Sequence, residues 1–281
     1  MRKFRQSLVF LMLAAGRVSA QPPAPDPAAA VLAAAREALG GDKKLAAVRT
    51  LVATGRTRQV RGDNLVPMEF EIAMELPDNY VRKDEIPAQE SGPTTSGFNG
   101  DQLLQFPVAG PPPARAGGPP PPSPEQLAMA SRMRLGTVKQ DFARLTLGLF
   151  AGSFTSYPLT FTYAGKAEAP QGKADVLDVK GPPGPGAFAA RLFINADTHL
   201  PIMISWIGPA PPTRGGPPPA SASQPPPPET RLYFGDYREV SGLQLPFRLR
   251  RALGADTVEE TTFDGFKING KIDPRKFEVR K

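Results

Sequence analysis

The sequence predicts an α+β fold, in which a curved antiparallel β-sheet of about ten strands forms an unclosed half-barrel covered by helices. From Leu51 onward, most segments alternate apolar and polar residues with the period of a strand. Two segments, near residues 26–39 and 123–149, instead repeat their apolar residues with the period of a helix. Because an antiparallel sheet can leave only one face in water, the helices are the expected cover of its apolar face.

The first twenty residues, MRKFRQSLVFLMLAAGRVSA, have the features of a secretory signal peptide. A basic start and an apolar run precede the small residues VSA, which match a cleavage site before Gln21. The run of about eight apolar residues is too short to cross a bilayer, which needs about 20. Loss of the four basic residues in this segment lowers the formal net charge from +7 to +3. We therefore expect an exported protein with one domain over residues 21–281, which does not bind nucleic acid.

The initial helix is predicted from DPAAAVLAAAREALGG. Asp26 is a suitable N-cap, Pro27 suits the first helical position, and Gly40-Gly41 is a stop signal. The helix is expected to bury one stripe of alanine, valine and leucine side chains.

The first strands are predicted from PMEFEIAMEL, in which large apolar residues occupy every second position. A turn at Pro77-Asp78-Asn79 leads to YVRKDEI as the partner strand, and Asn99-Gly100 favours a tight hairpin farther on. Later strands are predicted over residues 159–164, 174–179, 187–194, 202–207, 230–237, 243–253 and 257–266.

Two segments interrupt the strands, residues 107–122 and 208–228, and contain many of the 35 prolines. They carry few large apolar side chains, so we predict proline-rich flexible loops. A docking strip for partners, such as an envelope protein, or for peptidoglycan is the functional interpretation, and a tolerated surface insertion is the alternative.

The central helix is predicted from apolar residues at helical spacing, with Ser123 as its cap. Gly136 and Gly148 could divide the segment into two helices or introduce a hinge. The repeating residues are Leu135, Val138, Phe142, Leu145 and Leu149.

The chain offers little for metal or nucleophilic chemistry. It has no cysteine and one histidine, His199, so we predict no metal site and no cofactor. Asp197 and Ser205 lie near His199, but residues this close on a hairpin seldom converge as a catalytic triad. Paired carboxylates from distant positions stay open as a hydrolase alternative. We predict that the protein is not an enzyme.

The histidine lies in INADTHLPIMISW, which is predicted to be a hairpin. Asn195 and Asp197 are typical of its turn, and Pro201 opens the returning strand. His199 is then expected at the exposed tip, whereas Trp206, the single tryptophan, is expected on the concave face.

Four stretches resemble periplasmic lipoprotein-sorting proteins of the LolA/LolB type. They are LAAVRTLVATGRTR, INADTHLPIMISW, DYREVSGLQLPFRLRR and FKINGKIDPRKFEVRK. The resemblance implies a half-barrel with a helical lid, whose cavity holds the acyl chains of a lipid or lipoprotein. The resemblance also implies a periplasmic protein that makes only transient membrane contact. The expected function is lipid or lipoprotein binding, as a carrier in outer-membrane lipoprotein sorting. An envelope sensor or protein-interaction module without transported cargo is the alternative.

The apolar residues on the concave side are the candidates for ligand binding, although an ordinary packed core would use the same residues. In the best-known carriers a strand arginine holds the lid, and Arg56 and Arg58 on the first long strand are the candidates for that role. The candidate ligand-binding residues are Phe70, Ile72, Met74, Phe142, Leu145, Leu149, Ile204, Trp206, Leu245 and Phe247.

Overall fold

The structure is a computed structural model that describes residues 26–62, 64–87, 89, 92–108, 122–169, 172–184, 186–208 and 228–278. The predicted signal peptide and most of the two proline-rich segments lie outside these residues. The helices are α1 (Pro27–Ala38), α2 (Asp42–Ala46) and α3 (Pro124–Phe150), and a short 3-10 helix spans Pro274–Phe277. The strands are β1 (Thr50–Arg61), β2 (Asn64–Glu75), β3 (Asn79–Glu85), β4 (Thr94–Asn99), β5 (Gln102–Phe106), β6 (Thr160–Ala169), β7 (Gly172–Lys180), β8 (Ala189–Asn195), β9 (Pro201–Ile207), β10 (Glu229–Val240), β11 (Leu243–Leu253) and β12 (Asp256–Ile268).

Within the described ranges, twelve strands form one open antiparallel sheet in the order β5-β4-β3-β2-β1-β12-β11-β10-β9-β8-β7-β6. This confirms the predicted fold class. The sheet has twelve strands rather than the predicted ten or so, chiefly because the segment around Asn99-Gly100 forms a complete hairpin, β4–β5. Strands β1 to β5 run outward from the middle of the sheet to one edge, and β6 to β12 return from the other edge to the middle.

Helix α3 connects the two edge strands, β5 and β6, and therefore crosses the sheet. Its N-terminus has a capping box, in which the Ser123 side chain accepts from the Gln126 backbone N–H and the Gln126 side chain accepts from the Ser123 N–H. The helix is continuous over 27 residues, so Gly136 and Gly148 do not divide it into two helices. It ends at Ala151, which adopts a left-handed conformation with φ of 45°.

Helix α1 begins as the sequence predicts, with the Asp26 carboxylate accepting from the Ala28 N–H at 3.0 Å and Pro27 in the first turn. Its buried residues Ala28, Leu32 and Ala35 recur at helical spacing and pack into the main core. That core lies between the concave face of the sheet and helices α1 and α3. A smaller cluster around Phe277 covers part of the opposite, convex face.

The INADTHLPIMISW segment is the hairpin β8–β9, as predicted. The Asn195 side-chain oxygen accepts from the backbone N–H groups of Asp197 and Thr198, at 2.9 and 2.8 Å, which fixes the turn. No helix among the described residues is long and apolar enough to span a membrane.

Candidate ligand cavity beneath helix α3

The structure brings the ten predicted ligand-binding residues together on the concave side of the sheet. Seven come from β2, β9 and β11, and Phe142, Leu145 and Leu149 come from α3. Nine are buried, and Trp206 is partly buried against the same cluster. They form a packed core in this conformation, so their contact with a ligand stays a prediction that requires α3 to move.

The second half of α3 fills the concavity of the sheet. Nine consecutive residues, 142–150, are buried, which means that every side of this half-helix is covered. The Phe142 ring packs against those of Tyr80, Phe98 and Phe154. Gly148 faces the Phe234 ring so closely that a Cβ at this position would lie 2.1 Å from a ring carbon. The helix and the sheet are therefore in direct contact over this half.

The first half of α3 lies mostly in solvent. Leu127, Met129 and Met133 are 43%, 55% and 46% exposed, although each is a large apolar side chain. We call residues 142–150 the buried half of α3 and residues 124–141 its exposed half, although the buried stretch is the shorter of the two. The change occurs near Asp141.

A cavity of about 240 Å³ lies where the buried half of α3 begins. One part of its wall is apolar and includes Ile72, Val138 and Leu145. The remainder is polar, which neither the resemblance nor the pattern of apolar residues predicted. Its polar lining residues are Tyr80, Arg82, Asp84, Ser96, Asp141, Arg144, Arg251, Glu259 and Thr261.

Strand register places these polar side chains in one band, which we call the polar belt. Thr57 of β1 lies opposite Thr261 of β12, and their buried hydroxyl oxygens are 2.9 Å apart. Glu259, two residues earlier on β12, lies opposite Arg251 of β11. Because side chains two residues apart share a face, the belt follows from the pairing of neighbouring strands. Its members are Thr57, Arg82, Asp84, Arg251, Glu259 and Thr261.

Arg82 is the best-satisfied arginine of the belt. Its Nε donates to both Asp84 carboxylate oxygens, at 2.8 and 3.1 Å, and its Nη2 donates to the Thr57 hydroxyl at 3.4 Å. The guanidinium also lies 4.8 Å from the centre of the Phe70 ring. Burial disfavours its charge, but Asp84 and Tyr80 outweigh burial, so the pKa of Arg82 is raised. Burial also raises the pKa of the Tyr80 phenol, which therefore stays protonated.

Arg144 brings a positive charge from α3 into the cavity wall. Its guanidinium stacks 4.3 Å from the Trp206 ring centre and 5.2 Å from that of Phe188. Nη1 donates to Asp141 at 2.9 Å, and Nη2 donates to Gln140 at 3.2 Å. Only 10% of the side chain is exposed, and burial is the main reason that the pKa of Arg144 is lowered.

Arg251 and Glu259 form the loosest ion pair of the belt, with Nε and Oε1 4.0 Å apart. Glu259 is only 13% exposed at its side chain and also accepts from the Gln59 amide at 3.3 Å. The separation of 4.0 Å is too long for a hydrogen bond, so the contact is electrostatic.

Arg56 and Arg58, the predicted lid-holding arginines, lie on the convex face. Arg56 pairs with Asp264 at 3.1 Å, and its side chain is 71% exposed. Both arginines line an outer groove together with Arg248 and Glu260. Successive side chains of a strand point to opposite faces of the sheet. Because Thr57 faces the concave side, its neighbours Arg56 and Arg58 face the convex side. The sheet separates them from α3, and the arginines that lie beneath that helix are Arg82 and Arg251.

His199 is exposed at the tip of the β8–β9 hairpin, in a left-handed conformation with φ of 57°. We predict that His199→Ala changes the free energy of unfolding by less than ~0.5 kcal/mol, because the side chain is exposed and its removal creates no buried cavity. Chemical denaturation and binding of a fluorescent fatty acid would check this. A large loss of either stability or binding would contradict the assignment to a turn.

The hydrolase alternative requires two carboxylates that converge in a polar cleft. Asp84, Asp141 and Glu259 do line the cavity, but each is paired with an arginine rather than with another carboxylate. No group of three or more candidate metal ligands occurs in the part of the chain that the structure describes.

Comparison with known proteins identifies the fold. No protein-family model and no curated protein matches the sequence. A LolA superfamily protein from Nitrosomonas europaea superposes with a TM-score of 0.52 at 14% identity, over 89% of this chain and 97% of that chain. A DUF1329 family protein from Desulfovibrio piger gives 0.45 at 9% identity, over 90% and 98% of the two chains. A domain named for outer membrane lipoprotein sorting, from Vibrio parahaemolyticus, gives 0.46 at 9%, over 88% and 95%. The structure from Nitrosomonas europaea is the one used to compare folds. It confirms the resemblance found in the sequence, because this chain has the fold of a LolA superfamily protein.

Proposed function

We propose that this protein binds lipids or lipoproteins in the periplasm, and that it is a carrier that shields acyl chains between the sheet and α3 for outer-membrane lipoprotein sorting. One observation carries the proposal: residues 142–150 of α3 fill the concavity of an open sheet, while the first half of the helix lies largely in solvent. A helix in this position can withdraw and leave its apolar site to an acyl chain. The fold shared with a LolA superfamily protein supports the proposal. We assign no catalytic step to this function.

The conformation in the structure is the closed one. Its cavity of about 240 Å³ is smaller than the roughly 300–1,000 Å³ of common small-molecule sites, so an acyl chain needs more space. Withdrawal of α3 exposes five large apolar side chains, and loss of their burial costs ~1.5–3 kcal/mol each, or roughly 8–15 kcal/mol in total. They are Phe142, Leu145, Leu147, Leu149 and Phe150. Burial of a chain of about 16 carbons returns on the order of 12 kcal/mol, at ~0.8 kcal/mol per CH₂. The two terms are similar, so ligand and helix can exchange reversibly, as a carrier requires.

Lys139 is a polar tie that holds α3 to the sheet. Its Nζ donates to Asp101, in the β4–β5 turn, at 2.7 Å and lies 5.5 Å from the Phe98 ring centre. We predict that Lys139→Met, which keeps the aliphatic stem, raises the affinity for a fluorescent fatty acid a few-fold. Apparent affinity rises with the fraction of open protein. Lys83→Met is the matched control, because Lys83 pairs with Glu85 on the other face of β3 and should leave affinity unchanged.

Acid should weaken the same tie. The hydrogen bond from Lys139 lowers the pKa of the Asp101 carboxyl below its ordinary value. The tie is therefore fully present above the ordinary aspartate pKa and is lost as the pH falls through the lowered one. At low pH the wild type should approach the affinity of Lys139→Met, and a constant difference between the two at every pH would contradict this role of the ion pair.

Native mass spectrometry of protein purified from a periplasm, followed by organic extraction, tests the proposed function. We expect bound acyl lipid and displacement of a fluorescent fatty acid by unlabelled lipid. Trp206 provides an internal reporter, because the single tryptophan stacks on Arg144 of α3 and its emission should change when the helix withdraws. A ligand-free mass together with no displacement would contradict lipid binding.

Export is a separate part of the proposal, supported by the sequence of residues 1–20. We predict that the mature protein recovered from a periplasmic fraction begins at Gln21. N-terminal sequencing checks this, and a cytoplasmic protein with an intact start would contradict it.

A second candidate function is an envelope sensor or interaction module without cargo. The exposed apolar residues Leu127, Met129 and Met133 favour it, because apolar groups on an exposed helix are typical of a partner surface. Protein that carries no lipid, and that loses a cross-linked envelope partner when Met129 and Met133 are replaced by serine, would support this candidate over the carrier.

A further inference from the structure

The concave face of the sheet has two chemically different ends. Near the buried half of α3, its inward side chains are apolar and include Met74, Phe98 and Leu245. At the other end, the polar belt brings Arg82 and Arg251 to the same face. Burial of charged groups is costly, and a core that served only packing would be expected to use apolar residues there. The belt therefore has chemistry that the packed core does not need.

Two arginines of the cavity wall keep a donor without an acceptor. The Nε–H groups of Arg144 and Arg251 are buried, and no hydrogen-bond acceptor for either exists among the described residues. The Arg144 side chain is nine-tenths buried, with its two Nη atoms already engaged by Asp141 and Gln140. Buried polar groups are normally satisfied, so these two donors indicate a place for an oxygen acceptor.

The local charges favour an acceptor that carries negative charge. Arg82 is neutralised by close hydrogen bonds to Asp84, whereas Arg251 has only the 4.0 Å contact with Glu259. Asp141, the partner of Arg144, is 47% exposed, so solvent screens its charge. Burial above all, but also the positive charge of Arg251, lowers the pKa of Arg144. Two guanidinium groups thus repel each other within one wall, and an anion would relieve that repulsion.

We infer that the polar end of the cavity binds the anionic head, a carboxylate or a phosphate, of an acyl lipid, and that Arg144 and Arg251 hold it. The inference rests on the proposed function, because it gives the tail of the same ligand to the apolar end beneath α3. A volume of about 240 Å³ is small for a whole lipid but is sufficient for a head group of a few heavy atoms. The ligand would lie along the strands, with its head at the belt between Arg251 and Arg144, and its tail in place of the part of α3 that follows Arg144, residues 145–150.

Competition by matched ligands tests the head-group site. In this experiment, a fatty acid and the fatty alcohol of the same chain length are each tested for displacement of a fluorescent lipid. Both are used below their micellar concentrations, at a pH where the acid is ionised. We expect the acid to bind about tenfold or more tightly than the alcohol, as for a charge-assisted hydrogen bond. Arg251→Gln should remove most of this preference, because only Arg144 is left to hold the head, and should leave the affinity for the alcohol nearly unchanged.

Arg250→Gln is the matched control, because Arg250 is the next residue on β11 but faces the convex side, where it stacks on Tyr233. It should keep the full preference for the acid. If Arg251→Gln fails to fold, Arg251→Lys provides the test, since it keeps the charge but changes the donor geometry and should reduce the preference in part. Far-ultraviolet circular dichroism verifies the fold of each variant.

The outcomes separate the two proposals. Equal affinity for acid and alcohol in the wild type would overturn the head-group site but leave lipid binding intact. Failure of both ligands to bind would overturn the proposed function itself. Inorganic phosphate that competes as well as the fatty acid would show a free-anion site and would overturn the assignment to a lipid head.

Discussion

Replacement of Phe142 by alanine is expected to lower the free energy of unfolding by about 3–5 kcal/mol, as is typical of a buried phenylalanine. Phe142 is 1% exposed, and its ring centre lies 5.5, 5.2 and 5.7 Å from those of Tyr80, Phe98 and Phe154. The substitution removes these contacts and leaves a cavity that the surrounding strands cannot close. Urea denaturation followed by circular dichroism measures the effect.

Leu127→Ala provides the comparison for Phe142→Ala. Leu127 is on the same helix but in its exposed half, so its loss should change the free energy of unfolding by less than ~0.5 kcal/mol. A similar small change for Phe142→Ala would show that the second half of α3 is not packed in the sheet in solution. That result would also remove the closed conformation from which the proposed function starts.

Gly148→Ala is expected to lower the free energy of unfolding by about 1–3 kcal/mol, through overpacking. The added Cβ would lie 2.1, 2.4 and 2.5 Å from three carbons of the Phe234 ring, which is itself buried. Either the ring or the helix must shift. If the helix shifts, the variant is partly open, and it should bind a fluorescent fatty acid more tightly than the wild type.

Gly136→Ala is the control for Gly148→Ala. Gly136 lies on the same helix, and a Cβ there meets nothing within 4 Å. Alanine is a better helix former than glycine, so this substitution should raise the free energy of unfolding by ~0.5–1 kcal/mol. Opposite signs for the two substitutions would locate the contact at Gly148, whereas two stabilising substitutions would contradict the close approach to Phe234.

Local patterns in the sequence were sufficient for most of the fold. The alternation in PMEFEIAMEL, the caps at Asp26 and Ser123, and the turn residues of INADTHLPIMISW each depend on neighbouring residues only, so they could be read directly. The structure confirmed these elements. Gly136 and Gly148 did not divide α3 because a single glycine weakens a helix only slightly, and at Gly148 the close approach of the Phe234 ring requires a residue without a side chain.

The polar belt could not be predicted in the same way. Arg82 and Asp84 share a face with Tyr80 by the strand period, and this signal was present in YVRKDEI. Their meeting with Arg251 and Glu259, however, depends on the pairing of β1 with β12, which joins residues about two hundred positions apart. Arg56 and Arg58 lie away from α3 for a related reason. The partners of β1 place Thr57 on the concave face, so its two neighbours point to the convex face.

The position of β1 and β12 in the middle of the sheet also has a consequence for folding kinetics. The hydroxyl contact between Thr57 and Thr261 joins residues 204 positions apart, and the β1–β12 ladder around it is the strand pairing that joins the two halves of the described sheet, β1–β5 and β6–β12. Non-local pairings of this kind slow folding, because the chain must lose loop entropy before the contacts form. Until that ladder closes, each half presents a long unpaired edge, β1 on one and β12 on the other. The interval before closure is therefore when this chain is most exposed to edge-to-edge aggregation.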